Sequence, residues 1–164
     1  MRLHPKASAN PEATRAIREA DLVVLGPGDM YTSLVPNLLV DGISAALARA
    51  RATIVYVVNL MTKYGQTYNF TASDHIRTLE RFIGRSIDCA IVNTAAIPKR
   101  ALSVYAKYHE QPVVDDLPSR AYYAVVRAPV ASPVEVSKSK SDPLVRSLIR
   151  HDSERLSQVL INIL

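Results

Sequence analysis

The sequence predicts an α/β fold in which a mainly parallel, doubly wound sheet carries helices on both faces. Three short runs are continuously apolar, as in strands that are buried on both sides: residues 21–25, 53–58 and 88–92. Segments with helical patterns separate these runs, and such strand–helix alternation is typical of parallel sheets. With 164 residues, 48% of them hydrophobic, the chain is predicted to form one domain spanning 1–164.

The helices are predicted from their capping residues. Asn10 and Pro11 suit the start of a helix over residues 11–20. The run Thr71-Ala72-Ser73-Asp74 has the spacing of a capping box and opens a helix that ends near Gly84. Further helices are predicted within 33–50, interrupted by Pro36 and Gly42, and over 99–109 and 152–164.

The later part of the chain gives weaker strand signals. Residues 112–114 are compatible with a short fourth strand, and residues 122–127 (YYAVVR) predict a further strand. Residues 128–141 are rich in Pro and Ser, so they are predicted to form a loop with at most a short edge strand over 134–136.

Composition excludes several classes of protein. The single cysteine, Cys89, excludes an internal disulfide framework and a Cys-cluster zinc site, and its apolar strand predicts a buried, inert thiol. No apolar run approaches the roughly 20 residues of a membrane helix, and residues 1–10 lack the apolar core of a signal peptide. We therefore expect a cytoplasmic protein with no membrane partner.

The formal net charge is +5, and the basic surplus lies mainly between residues 76 and 110. This surplus is compatible with an anionic ligand or with weak nucleic-acid affinity. A nucleic-acid partner is not favoured, because the scattered tyrosines lack the basic–aromatic spacing of an RNA-recognition sheet. The stripe Arg77, Arg81 and Arg85 could face phosphates, but a solvated helix face is the favoured interpretation.

Ligand sites of such sheets lie outside the carboxyl ends of the strands. This rule directs attention to residues 26–33, 59–74 and 93–98, which follow the three best strands. Gly26 and Gly28 permit a tight turn and a close backbone approach to a phosphate, and Thr32 and Ser33 lie near the next helix start. The segment is neither GxGxxG nor a Walker loop, so an ordinary strand-to-helix turn is the alternative.

The second segment begins with Asn59, whose amide could bind a sugar or the edge of a base. Asp74 is either a capping acid or a ligand contact, and in the first case His75 is a solvated neighbour. The length of the loop favours a functional role. His109 and His151, like His4, have no partner at nucleophile or ligand spacing, so no catalytic triad is predicted.

The chain resembles the YvcK family from about Ala9 to Leu164. The resemblance rests on the runs ADLVVLGPGDMYTSLVPNLLVDGI, VYVVNLMT, TASDH and LIRHDSERLSQVLINIL. That family, the gluconeogenesis factors, is related to CofD, the 2-phospho-L-lactate transferase of deazaflavin-coenzyme biosynthesis. Its members are longer, and the chain resembles only their C-terminal half. We therefore expect self-association, or a separate N-terminal half as partner.

One departure from the family pattern is local. After Asn59-Leu60-Met61-Thr62 the family reads Gln-Pro-Gly-Glu-Thr, whereas this chain has Lys63-Tyr64-Gly65-Gln66-Thr67. The amide of Gln66 thus stands where the family has a carboxylate, so a charged role at that position is not carried over.

The resemblance implies a Rossmann-like fold that binds a UDP-sugar or another nucleotide, with a role in bacterial cell shape and cell-wall synthesis during gluconeogenic growth. It implies that Gly26, Gly28 and Ser33 approach the diphosphate, with Asp29 and Thr32 in the same loop. It also implies that four residues line the same crevice: Asn59, Thr62, Thr71 and Asp74.

The relationship to CofD implies the alternative function, transfer of a phosphate-linked group from an activated nucleotide. In that case Asp29 or Asp74 would hold Mg²⁺ or aid proton removal. No catalytic residue is assigned, and no metal site is predicted apart from this alternative.

Overall fold

The computed structural model describes residues 1–133 and 148–164. The predicted edge strand over 134–136 lies outside the described residues, as does most of the predicted loop over 128–141.

A four-stranded parallel sheet forms the centre of the molecule. Its strands are β1 Leu22–Leu25, β2 Thr53–Val57, β3 Cys89–Asn93 and β4 Ala124–Ala128. They lie in the order β1-β2-β3-β4, with Val24 opposite Val55, Val55 opposite Cys89, and Cys89 opposite Ala124. The three apolar runs are therefore confirmed as neighbouring parallel strands.

Six α-helices accompany the sheet in the two described ranges. They are α1 Pro11–Glu19, α2 Val35–Leu38, α3 Ile43–Arg49, α4 Ala72–Ile83, α5 Lys99–Ala106 and α6 Ser153–Ile161, and a π-helical turn, Met30–Leu34, precedes α2. Asn10 caps α1 by accepting a hydrogen bond from the Glu12 amide at 2.8 Å. None of these helices is long and apolar enough to cross a membrane.

The two faces of the sheet bury different side chains, because residues alternate along a strand. Ile54 and Tyr56 of β2 face a core that includes Leu79 of α4, whereas Val55 and Val57 face Leu156 of α6. Helices on both faces are thus confirmed. The strand order does not reverse within the described residues, so the expected double winding is absent there; strand–helix alternation alone does not fix strand order.

Two predicted strands differ from the structure. Residues 112–114 form only single bridges, Pro112 with Met61 and Val114 with Thr71, so they add no strand to the sheet. The strand predicted over 122–127 begins at Ala124. The Tyr122 hydroxyl instead donates a hydrogen bond to Glu80 at 2.7 Å, and this contact holds Tyr122 outside the strand.

Candidate functional site

A cavity of about 860 Å³ opens beyond the carboxyl ends of β1 and β2. Its walls come from residues 27–29 after β1, residues 59–64 after β2 and residues 148–151 before α6. Four residues in or after α5 complete it: Val104, Tyr105, Tyr108 and Glu110. The cavity lies where parallel α/β sheets bind their ligands.

The segment after β1, residues 26–33, is called the glycine loop here, and it contributes Gly28 and Asp29 to the cavity wall. The Asp29 carbonyl accepts a hydrogen bond from the Ser33 amide at 2.9 Å, and its carboxylate accepts one from the Thr32 hydroxyl at 3.4 Å. The Ser33 amide is therefore used inside the turn. Gly26, Thr32 and Ser33 do not line the cavity, so the structure brings together only part of the predicted phosphate loop.

Asn59 and Thr62 both line the cavity, as predicted, but in different roles. The Oδ1 atom of Asn59 is buried and has no hydrogen-bond partner among the described residues. Thr62 is 1% exposed; its amide donates to the Gln111 carbonyl at 2.7 Å and its hydroxyl accepts from the Gln111 amide at 3.0 Å. Thr62 therefore holds its part of the cavity wall to Gln111, whereas Asn59 carries an acceptor that no described residue uses.

His151 is a cavity residue that the sequence reasoning missed. Its Nε2 atom is buried without a partner among the described residues. Burial lowers the pKa of His151, and its hydrogen bond to the Val58 backbone opposes this effect only in part. The ring is therefore neutral at pH 7. The LIRHD run carried the family resemblance and was the signal that could have identified this residue.

Tyr105 anchors the segment that carries His151. Its hydroxyl accepts hydrogen bonds from the amides of Leu148 and Ile149 at 2.9 and 3.2 Å. Ile149 also packs with Leu60 and Tyr105 in a small buried cluster. This contact joins α5, the loop after β2 and the start of α6 into one wall.

Thr71 and Asp74 lie outside the cavity wall and cap α4. The Asp74 carboxylate accepts from the Thr71 amide at 3.0 Å, and Arg77 binds its other oxygen at 2.6 Å. The Thr71 amide and Arg77 hold the pKa of Asp74 below its usual value. The structure therefore supports the capping interpretation of Asp74, one of the two that the sequence left open.

We expect Asp74→Asn to lower the free energy of unfolding by about 0.5–1 kcal/mol, because asparagine still caps but loses the Arg77 pair and the charge at the helix N-terminus. Because folding lowers the pKa of Asp74, this stabilisation is present at neutral pH and lost as the pH falls through the acid range. Ligand affinity should not change. Urea unfolding beside calorimetric titration measures both, and lost affinity with full stability would contradict the capping role.

His75 is fully buried, so its expected place as a solvated residue is wrong. Its Nδ1 atom lies 2.9 Å from the Thr71 carbonyl, and its ring packs edge-on against Phe70 with centroids 5.5 Å apart. Burial lowers the pKa of His75. The apolar face of α4 includes His75 because it lies one residue before Ile76 and four before Leu79, a spacing that places it at the edge of the buried stripe.

The arginine stripe does not reach the cavity. Arg77 pairs with Asp74, and Arg81 is exposed. Arg85 lies beyond α4 and donates to Asp88 and to the Ala50 carbonyl. These partners favour a surface role over phosphate binding.

The third predicted segment, 93–98, also stays outside the cavity wall. The Asn93 side chain is used locally, since its oxygen accepts from the amides of Ala95 and Ala131 at 3.0 and 2.8 Å. Cys89 is buried, and burial raises the pKa of its thiol, as expected of an inert cysteine. In the part of the chain that the structure describes, no three His, Cys, Asp or Glu residues are grouped to hold a metal ion.

Comparison with known proteins identifies the family. The family model of 2-phospho-L-lactate transferase CofD matches residues 1–131. A protein of Aquifex aeolicus named as a gluconeogenesis factor is 38% identical over 164 residues, covering 99% of this chain and 47% of its own. The gluconeogenesis factor of Bacillus subtilis is 35% identical over 155 residues, covering 94% of this chain and 46% of its own.

Solved structures agree with these relatives. A crystal structure of a Bacillus halodurans protein superimposes with a TM-score of 0.83 at 31% identity, covering 98% of this chain and 49% of that one. A second crystal structure from Bacillus halodurans gives a TM-score of 0.80 at 30% identity. The chain spans about half the length of the curated relatives that it matches. It belongs to the CofD family and, within it, is similar to the gluconeogenesis factors.

Proposed function

We propose that the chain binds a UDP-sugar in this cavity and acts as a regulatory protein of the YvcK type. The proposed role is cytoplasmic, in cell shape and cell-wall synthesis during gluconeogenic growth. One observation carries the binding proposal: the cavity wall holds two buried polar atoms without partners among the described residues, Asn59 Oδ1 and His151 Nε2.

Buried polar atoms without partners cost free energy, about 1–3 kcal/mol each, and a ligand group that meets them when the side chain turns toward the cavity recovers part of it. The Asn59 oxygen requires an N–H or O–H donor, and so does His151 Nε2, because the other nitrogen of the neutral ring donates its proton to the Val58 backbone. A nucleotide-linked sugar offers such donors on its base and its hydroxyls. The cavity volume also lies within the usual range of about 300–1,000 Å³ for small-molecule sites.

Other residues of the cavity wall suit the phosphates. Gly28 carries no side chain, so a ligand can approach its backbone closely. Lys63 and Arg150 bring positive charge to the cavity, and Asp29 and Glu110 bring negative charge. The cavity wall thus carries charged as well as uncharged groups, which is compatible with a ligand that joins a diphosphate to an uncharged sugar and base.

The Gly28 position tests this proposal. We expect the wild-type chain to bind UDP-N-acetylglucosamine in calorimetric titration, and Gly28→Val to weaken binding by at least about tenfold, because a branched side chain would press on Ser33 and Leu34 and shift the Gly28 backbone from its place in the cavity wall. Gly28→Ala is the matched control, since both variants place a Cβ 3.1 Å from that of Ser33.

Thermal melts of both variants separate binding from folding. Alanine should retain most of the affinity, whereas valine should not, and valine should also melt at a lower temperature because its two Cγ atoms add to the contact with Ser33 and Leu34. Failure of the wild-type chain to bind the UDP-sugar would overturn the proposal. Unchanged affinity in a folded valine variant would remove Gly28 from the site.

The second candidate function is transfer of a phosphate-linked group, favoured by the match to the CofD model. Of the two acids proposed to hold Mg²⁺, Asp29 lines the cavity, but Asp74 is held by its cap and by Arg77. Asp29 is therefore the acid of the two that could hold Mg²⁺ or take up a proton in this cavity. Turnover of a nucleotide-activated phospholactate by the chain would establish this function in place of the regulatory one.

A further inference from the structure

An ion pair is built into the wall of the cavity. The Lys63 ammonium lies 2.9 Å from Oε1 of Glu110, and both residues line the cavity. The two side chains differ in burial, since that of Glu110 is 8% exposed and that of Lys63 is 38% exposed. The cation is therefore reachable by a ligand, while its counter-ion lies behind it.

The backbone around Lys63 is fixed. Its amide donates to the Thr67 hydroxyl at 2.9 Å, and its carbonyl accepts from the amides of Gln66 and Thr67 at 3.0 and 2.9 Å. Gln66 in turn accepts a hydrogen bond from the Tyr31 amide at 3.3 Å, which ties this loop to the glycine loop. The base of the lysine side chain is thus held while its four-carbon stem remains free to move.

The negative charges near Lys63 keep its amine protonated. Glu110 raises the pKa of Lys63, and the negative charge of Asp29 acts in the same direction, so the amine is fully charged at neutral pH. Asp29 belongs to the glycine loop and also lines the cavity. An ammonium has three donors, and within residues 1–133 and 148–164 Glu110 is the carboxylate that pairs with it.

We propose that Lys63 is the cation that binds a ligand phosphate in this cavity, and that Glu110 is its resting counter-ion, which the phosphate displaces. This inference rests on the proposed function and adds to it the residue that selects for phosphate. A doubly charged phosphate attracts the ammonium more strongly than one carboxylate does. Displacement leaves a buried carboxylate without its partner, which costs free energy, so weaker anions are disfavoured.

Two substitutions test the exchange because they should act in opposite directions. Lys63→Gln should weaken binding of inorganic pyrophosphate and of UDP-N-acetylglucosamine by at least about tenfold in calorimetric titration. Glu110→Gln should tighten binding of both probes by about threefold or more, because it removes the competing negative charge and keeps the size and shape of the side chain. Lys63→Arg, which retains the charge, should keep most of the affinity.

A purely structural ion pair predicts a different pattern. In that case Lys63→Gln and Glu110→Gln would both lower the melting temperature and weaken binding alike, which would overturn the inference. If Lys63→Gln does not fold, the Glu110→Gln titration decides alone: tighter binding supports the exchange, and equal or weaker binding overturns it.

The two probes separate this inference from the proposed function. Pyrophosphate binding that depends on Lys63, without binding of the UDP-sugar, would support the phosphate role and overturn the proposed ligand. UDP-sugar binding that Lys63→Gln leaves unchanged would overturn the phosphate role and leave the proposed ligand standing. A wild-type chain that binds neither probe would overturn both.

Discussion

Gly26→Ala is expected to lower the free energy of unfolding by about 2–4 kcal/mol, among the larger effects of a single substitution in this chain. Gly26 follows β1 with φ of +87°, a conformation that disfavours any side chain. A Cβ at this position would also lie 3.1 Å from the carbonyl oxygen of Val57 in the neighbouring chain segment. Both effects add, because the backbone of β2 has little freedom to move away from the turn.

Gly84→Ala is the matched control for this substitution. Gly84 ends α4 with φ of +73°, but a Cβ there meets no atom within 4 Å. It should therefore cost only the backbone conformation, about 1 kcal/mol. Urea unfolding of the two variants isolates the contact with Val57. Equal losses would show that the close approach of the glycine turn to β2 contributes nothing.

The regular parts of this fold could be predicted because each follows from local chemistry. The run TIVYVV is apolar on both faces, as a central parallel strand requires, and four of the five β2 residues are buried. The capping box and the C-terminal glycine that predict α4 are likewise local, since each is contained within a few residues. The π-helical turn at Met30–Leu34 and the single bridges of residues 112–114 depend on tertiary contacts, so local patterns did not predict them.

The candidate site could be predicted only where it directly follows a strand. Gly28, Asp29, Asn59 and Thr62 lie in such loops, and all four line the cavity. His151 and Glu110 come from segments remote in sequence, and the fold alone brings them to the strand ends. Thr71 and Asp74 lie outside the cavity wall and cap α4, and a capping box gives the same residue pattern whether or not a ligand lies nearby.

The outer edge of β1 is the feature with the largest expected effect on assembly. Within the described residues β1 pairs only with β2. None of its four residues is fully buried, and Val24 is 37% exposed, whereas β2 and β3 each bury four of five. An open strand edge with apolar side chains pairs readily with another chain, and natural proteins usually cover it. The chain also spans only about half the length of its relatives.

We propose that this edge pairs with a second copy of the chain, or with a polypeptide that supplies the part of the relatives that the chain does not match. Light scattering should show the mass rising with concentration from 18.0 kDa toward twice that value. Addition of the complementary polypeptide should replace self-association by a one-to-one complex and should strengthen UDP-sugar binding. A strand from either source would cover Val24 and the unpaired backbone groups of β1.

Val24→Lys should abolish this association, because a charge on an edge strand opposes pairing without filling the core. Ile161→Lys is the matched control: Ile161 is also apolar and exposed, at 62%, but it lies on α6. It should associate like the wild type. Association that both lysines disrupt equally would indicate general apolar contact instead of strand pairing. A wild-type chain that stays monomeric at every concentration, melts cooperatively and binds the UDP-sugar tightly would show that β1 needs no partner, and that the exposed edge is stable in water.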